Sequence, residues 1–374
     1  MERLSLRYGA PPHAAALTEL PRGVAEPVHE VLNLLWLFGT VAGARHADRI
    51  WFSAAEVQAL EESLLTSGLD EAIRSPLAVI VGTLARPPRR TKPLAQACAA
   101  AAEWALEVGA RETASAFLEL AALCKPNSAR LALMAGRTLK NNGKLREAEY
   151  WLRRAAKLAQ WSRDWKTLVL SQNSLGILWW NQGAIARAER HLFRGLRFAR
   201  KYHLKLETAM ANHEIFVVRV TSQQFEGAEA FAQAALEHYP PDDHRLAPLS
   251  YDLAYYWLMR GYVRRAEPLL EGLLPRFPDP PHRTQVLSAL ARAAGATGNR
   301  ALFDQAWRDA LPLVEHPSGA NVRAAVLIDL GLGARSFRLW SEAESCFSRA
   351  ARSAEDLSQH DMLIRAQTLL KMPR

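Results

Sequence analysis

A pair of small residues seven positions apart recurs down most of this chain. It appears as Ala114/Ala121, Ala148/Ala155, Ala188/Gly195, Ala228/Ala235 and Ala343/Ala350, with one larger member in Ala266/Leu273 and in Phe303/Ala310. A glycine sits five residues before the pair at Gly109, Gly143, Gly183, Gly261 and Gly298, and these glycines fall 34, 40, 78 and 37 residues apart. Seven residues before the glycine another small residue stands: Ala102, Gly136, Gly176, Ala254, Ala291, and Gly331 in the last copy. Self-similarity at such a period marks a solenoid, whose units bury their apolar faces only by stacking on one another.

Each unit reads as helix, tight turn, helix. Small residues belong where two helices cross closely, since larger side chains push the axes apart. The glycine ends the first helix in a backbone conformation with positive φ. Gln223 and Arg338 stand where two units lack this glycine, and Phe303 stands where one lacks its first small residue. Large apolar residues fill the remaining interface, among them Leu175, Trp179, Leu192, Leu253, Trp257, Leu270, Leu330 and Phe347. Pro126, Pro240 and Pro278 close units, because proline cannot continue a helix.

Leu175-Gly176, Trp179, Gly183, Ala188 and Leu192 in one unit resemble the tetratricopeptide repeat. So do Leu253, Trp257, Gly261, Ala266, Leu270 and Pro278 in another, and Leu330-Gly331, Trp340, Ala343, Phe347 and Ala350 in the last. The resemblance covers about residues 95–372. Most units run near 40 residues, which is similar to the long-helix repeats of bacterial signal-transduction and peptide-sensing regulators. It implies an all-α, right-handed α-solenoid of about seven helix-turn-helix repeats, with the first helix of each unit lining a concave groove.

Residues 1–22 read as an Ala/Pro-rich arm, 23–93 as a helical N-terminal module with a basic linker, and 94–374 as the solenoid. Within the module, helices are predicted over Val24–Ala44, Ser53–Thr66 and Leu69–Leu84. Ser53 and Glu56 form a capping box, and Pro76 is expected to break the third helix. Glu56, Glu61, Glu62, Asp70 and Glu71 deny the module a basic recognition face, so a bundle packed on the first repeat is favoured over a DNA-reading helix-turn-helix. The run Arg86 to Pro93 reads as a stiff basic linker. No basic start with a following apolar stretch marks a signal peptide. The strongest apolar run, Val31–Ala42, contains Asn33 and is too short to span a bilayer. Three scattered cysteines, Cys98, Cys124 and Cys346, suggest neither a disulfide framework nor a metal site, and the expected location is cytoplasmic.

The net charge of +9 is concentrated: residues 137–205 hold 16 Lys or Arg against 4 Asp or Glu, a net of +12. Arg187, Arg190, Arg194, Arg197 and Lys201 follow helical spacing and line one face. Arg154 and Lys157 stand at the equivalent positions of the preceding repeat, which predicts one basic patch on the outer side. No acidic residue interrupts this stripe, so either it is simply solvated or it docks an acidic partner such as nucleic acid.

On the inner side the repeat register places Arg137, Lys140 and Asn141, then Asn173, Ile177, Trp180 and Asn181, then His213, then Tyr251 and Tyr255, with Arg292, Ile328 and Arg335 beyond. The resemblance implies asparagines that clamp a peptide backbone, because one amide both donates and accepts. Arg137 and Lys140 offer a carboxylate site, and Trp180, Tyr251 and Tyr255 offer apolar pockets. No glycine-rich phosphate loop, His-Glu-x-x-His or Cys-x-x-Cys motif is present, and the His46/Asp48 cluster reads as a cap or surface pair. The expected protein is a non-enzymatic scaffold without cofactor or metal, binding a peptide or protein segment. Two alternatives are a transcription-linked protein standing on the basic patch of residues 137–205, and a regulator whose curvature responds to a peptide signal.

Overall fold

The computed structural model describes residues 14–42, 54–85, 91–357 and 359–373. The His46/Asp48 pair, the Ser53 cap and the residues Arg86–Arg90 of the linker lie outside the described residues, as does the first part of the arm. Four helices precede the repeats: α1 (Ala14–Glu19), α2 (Arg22–Ala42), α3 (Ala54–Thr66) and α4 (Glu71–Ala85). Pro76 does not break α4, contrary to the sequence expectation. It sits inside the helix with Ile73, Leu77, Ile80, Val81 and Leu84, all buried. One lost backbone hydrogen bond is outweighed by burial of that apolar face.

Seven helical pairs follow: α5 (Thr91–Glu107) with α6 (Arg111–Cys124), α7 (Ala129–Asn141) with α8 (Leu145–Ser162), α9 (Trp165–Asn181) with α10 (Ile185–Lys201), α11 (Lys205–Thr221) with α12 (Ala228–His238), α13 (Leu246–Met259) with α14 (Val263–Leu273), α15 (Pro280–Thr297) with α16 (Arg300–Val314), and α17 (Ala320–Ser336) with α18 (Trp340–Asp356). A last helix, α19 (His360–Lys371), packs on α18. This consecutive all-α packing is a tetratricopeptide-type α-solenoid. The chain divides into two compact units, Met1–Val218 and Arg219–Arg374, the division falling within α11.

The small residues do what their spacing demands. A Cβ added to Gly136 would stand 2.8 Å from Leu152 Cγ, one on Gly176 would stand 2.5 Å from Leu192 Cγ, and one on Gly331 would stand 2.5 Å from Phe347 Cε1. All three notches receive the residue sixteen positions on, so one geometry repeats in both units. Phe303 breaks the small-pair rule yet is buried, because Gly333 of the next first helix makes room. A Cβ there would meet Phe303 Cε2 at 3.1 Å and Ala291 O at 2.6 Å.

The turn glycines carry φ values from 72° to 81°, and Gln223 and Arg338 adopt φ of 58° and 60° at the equivalent positions. The turn therefore keeps its left-handed shape even where glycine is missing. Arg163 and His203, just past the ends of α8 and α10, take the same conformation, which the repeat pattern did not reveal.

In the first unit one continuous core runs from Val28, Leu32 and Leu35 through Ile73 and Leu77 to Phe117, Trp151 and Leu178. The N-terminal helices thus share their core with the repeats. Glu19 at the end of α1 reinforces this. Its two carboxylate oxygens accept from the backbone N–H groups of Glu112 and Thr113 at 2.8 Å, capping α6, whose own N-cap Ala110 cannot. The second unit has its own core, centred on Leu270, Leu290, Phe303, Leu327 and Phe347. Cys98, Cys124 and Cys346 are all buried. Burial pushes the Cys98 thiol well above its ordinary pKa, Cys124 up to about 12 and Cys346 up to about 11.

Candidate functional site

The first helices carry the residues expected to meet a ligand. On α7, Arg137 and Asn141 are exposed and Lys140 is half-buried. Burial lowers the Lys140 pKa and Arg137 lowers it further, while Glu214 on α11 opposes both. On α9, Asn181 is exposed, and Ile177 and Trp180 are half-buried. His213 on α11 is half-buried too.

Asn173 departs from this group. It is 5% exposed, and a Cβ on Gly195 of α10 would stand 2.6 Å from its Oδ1. Its repeat equivalent, Leu133, is also buried. The side chain occupies the α9/α10 crossing, so Asn141 and Asn181 are the exposed asparagines of the trio.

In the second unit, α13, α15, α17 and α19 bring together a polar cluster. Tyr251 and Tyr255 lie with ring centroids 6.0 Å apart. Arg292 stands over the Tyr255 ring at 5.8 Å and donates from Nη1 to Asp329 Oδ1 at 3.0 Å. Burial raises the Tyr251 and Tyr255 hydroxyl pKa values, and Asp329 raises both further; Arg292 opposes the rise at both rings and Arg365 at Tyr255. Burial works against the Arg292 charge, but Asp329 and Tyr255 more than offset it and hold its pKa above the ordinary value. The sequence reading named Tyr251, Tyr255 and Arg292 but missed Asp329 and Arg365. Asp329 left a signal: a lone carboxylate inside the apolar run Val326–Gly331 needs a buried cation.

The five cations of the stripe lie on α10. Arg187, Arg190, Arg194, Arg197 and Lys201 are all exposed, and Lys157 on α8 is exposed as well. Aromatic rings relieve part of the repulsion among them. Arg187 lies over Trp179 at 4.8 Å, Arg194 over Phe198 at 5.9 Å and Lys201 over Tyr202 at 5.4 Å. Ring faces attract cations; Trp179 comes from the preceding helix α9, whereas Phe198 lies on α10 and Tyr202 just past its end. Lys157 similarly covers Trp161 at 4.7 Å. Arg154 is partly withdrawn from the stripe, since it donates to Pro126 O at 2.9 Å.

Beside the stripe, Arg153, Trp179, Arg187, Arg190 and His191 line a pocket of about 430 Å³. Sequence reasoning passed over Arg153 and His191, because they converge only across the α8/α10 gap. Among the described residues, no group of three or more His, Cys, Asp or Glu is placed to hold a metal, and no helix is long and apolar enough to cross a membrane.

No protein-family model matches the chain, and no curated protein sequence matches it. Solved structures do. A Rap protein complexed with Competence and Sporulation Factor aligns with a TM-score of 0.56 at 12% identity, over 89% of this chain and 99% of that one. A signal-transduction ATPase with numerous domains from Pyrococcus horikoshii, with a tetratricopeptide repeat sensor, aligns with a TM-score of 0.56 at 12% identity. That match covers 98% of this chain and 58% of the other. A Rap conjugation gene regulator of the plasmid pLS20, in complex with the Phr* peptide, gives 0.49 at 12% identity over 87% and 97%. At this identity the likeness establishes the fold: this chain has the tetratricopeptide-type solenoid architecture.

Proposed function

We propose that the protein is a non-catalytic binding scaffold that takes a peptide or protein segment along the first helices of its repeats, as an adaptor, sensor or assembly subunit. The observation that carries this reading is the cluster of Tyr251, Tyr255 and Arg292. A tyrosine pair lies next to a guanidinium that Asp329 holds at 3.0 Å, on consecutive first helices. Such a group is pre-oriented for a carboxylate or a backbone carbonyl, with apolar rings beside it. Arg137, Asn141 and Asn181 supply exposed polar groups on first helices of the other unit. The Rap protein, of the same fold, is held with Competence and Sporulation Factor.

The test is affinity capture from the native host with nuclease-treated controls, comparing the natural chain with Tyr255→Phe and with the double variant Asn141→Ala/Asn181→Ala. A specific protein or peptide recovered by the natural chain, insensitive to nuclease and depleted by the variants, is the expected result. Equal recovery by all three chains sinks the groove reading.

The second reading, a nucleic-acid-associated or transcription-linked regulator, is favoured by the α10 stripe. Its five cations are all exposed along one helix. Binding of this kind should weaken steeply with salt. It should be abolished by charge reversal at Arg190, Arg194 and Arg197; survival of binding after that reversal excludes the stripe.

A further inference from the structure

The pocket between α8 and α10 gathers charges of one sign into a single concavity. Arg153 comes from α8, Trp179 from α9, and Arg187, Arg190 and His191 from α10. Glu149 Oε1 accepts from Arg153 Nε at 2.7 Å. Three guanidinium groups and an imidazole converge on the pocket. Folding would have no reason to converge them unless rings and solvent relieved the charge, or an anion did.

Three details favour an anion. Arg187 is fixed against the Trp179 ring at 4.8 Å, which orders its fork of donors before any ligand arrives. The Trp179 indole N–H is buried and has no acceptor among the described residues, although buried donors are nearly always paired. His191 Nδ1 lies 2.8 Å from Gln172 Oε1, an oxygen that only accepts, so Nδ1 carries the hydrogen and Nε2 is left for other use. We propose that this pocket is a binding site for a dianionic phosphate group, clasped by Arg153, Arg187, Arg190 and His191. A volume of about 430 Å³ leaves room for the group to which the phosphate is esterified.

Proton linkage follows. Burial lowers the His191 pKa, and Arg153, Arg194 and Arg190 lower it further, while Glu149 opposes them. Arg187 of α10 lines the same pocket, and α9 offers the ring the neutral Gln172. A dianion in the pocket reverses the local sign, so the ligand recruits a proton to His191, and affinity should rise as pH falls until the phosphate itself takes up its second proton, near about pH 6 for an ester.

The four residues that would clasp the phosphate lie on α8 and α10, and none of them is changed in the groove variants. The experiment is calorimetric titration of the full chain with inorganic phosphate, O-phosphoserine and a short phosphoserine peptide. Saturable binding is expected, and the tightest of the three probes identifies whether the natural source is a free phosphate, a small ester or a modified protein. Arg190→Gln should weaken binding about tenfold or more, as loss of a charge-assisted contact does. Arg197→Gln, on the same exposed face but outside the pocket, should change it by less than about twofold. His191→Gln should flatten the pH dependence to that of the phosphate alone. Arg190 and Arg197 are exposed and His191 is half-buried, and helicity by circular dichroism checks that the fold is kept in each variant. Equal losses from Arg190→Gln and Arg197→Gln would show diffuse attraction rather than a site, and absence of saturation with all three probes would overturn the proposal outright.

Discussion

Single residues decide how closely these helices approach and how the turns close. Gly176 lies under Leu192, with 2.5 Å available to a Cβ, whereas an added Cβ on Gly183 meets nothing within 4 Å but suffers a φ of 72°. Alanine at the two sites should therefore destabilise for different reasons: overpacking of about 1–3 kcal/mol at Gly176, backbone strain of about 1 kcal/mol at Gly183. The converse holds at Arg338, which is exposed and already strained at φ 60°. Arg338→Gly should raise stability by up to about 1 kcal/mol, measured by denaturant unfolding, as relief of a left-handed residue predicts. Glu119 gives a pH test. Burial raises its pKa despite the hydrogen bond it accepts from Trp151 Nε1 at 2.8 Å. A carboxyl raised in the folded state contributes its stability at low pH and loses it as pH rises past the ordinary carboxylate range. Glu119→Gln keeps an acceptor for Trp151, so the variant should gain on the natural chain as pH rises past the ordinary carboxylate range. A difference that stays constant as pH rises through and above that range would refute the assignment.

Among the elements, α6 depends on a cap it does not own. Glu19 accepts from the first N–H groups of α6 across more than ninety residues of sequence, and also from Thr113 Oγ1 at 2.8 Å. Glu19→Ala should cost about 1 kcal/mol, in the range of lost N-caps, and should speed amide exchange at the start of α6 and in α1. How much of this was legible depends on the range of the interaction. Helix pairs, turn positions and the exposed stripe were readable, because they rest on spacing within about 40 residues. Glu19, Asp329 and the Arg153/His191 pocket were not, because each is defined by a partner on another helix. Asn173 misled for a related reason. Its residue type suggested a ligand, while its register, shared with buried Leu133, argued for the interior. Pro76 misled because proline in an early turn loses one hydrogen bond, and the apolar face around it holds the helix regardless.

As a whole molecule, the chain is a succession of repeats whose stability is a sum of local terms. Gly333 is a weak point of the second unit, since a Cβ there would run into Ala291 O at 2.6 Å and Phe303 at 3.1 Å. Gly333→Val should therefore strip amide protection first from α15 to α18, with protection across α7 to α10 retained, as hydrogen exchange with mass spectrometry would show. Simultaneous loss in both regions would mean that the chain unfolds as one cooperative body. The buried cysteines add a practical consequence. With Cys124 at about 12 and Cys346 at about 11, and Cys98 raised as well, the native thiolates are scarce at neutral pH and shielded from reagents. A single cysteine introduced on an exposed turn would outcompete all three for a maleimide dye, so the natural chain already serves as a silent background for fluorescence labelling.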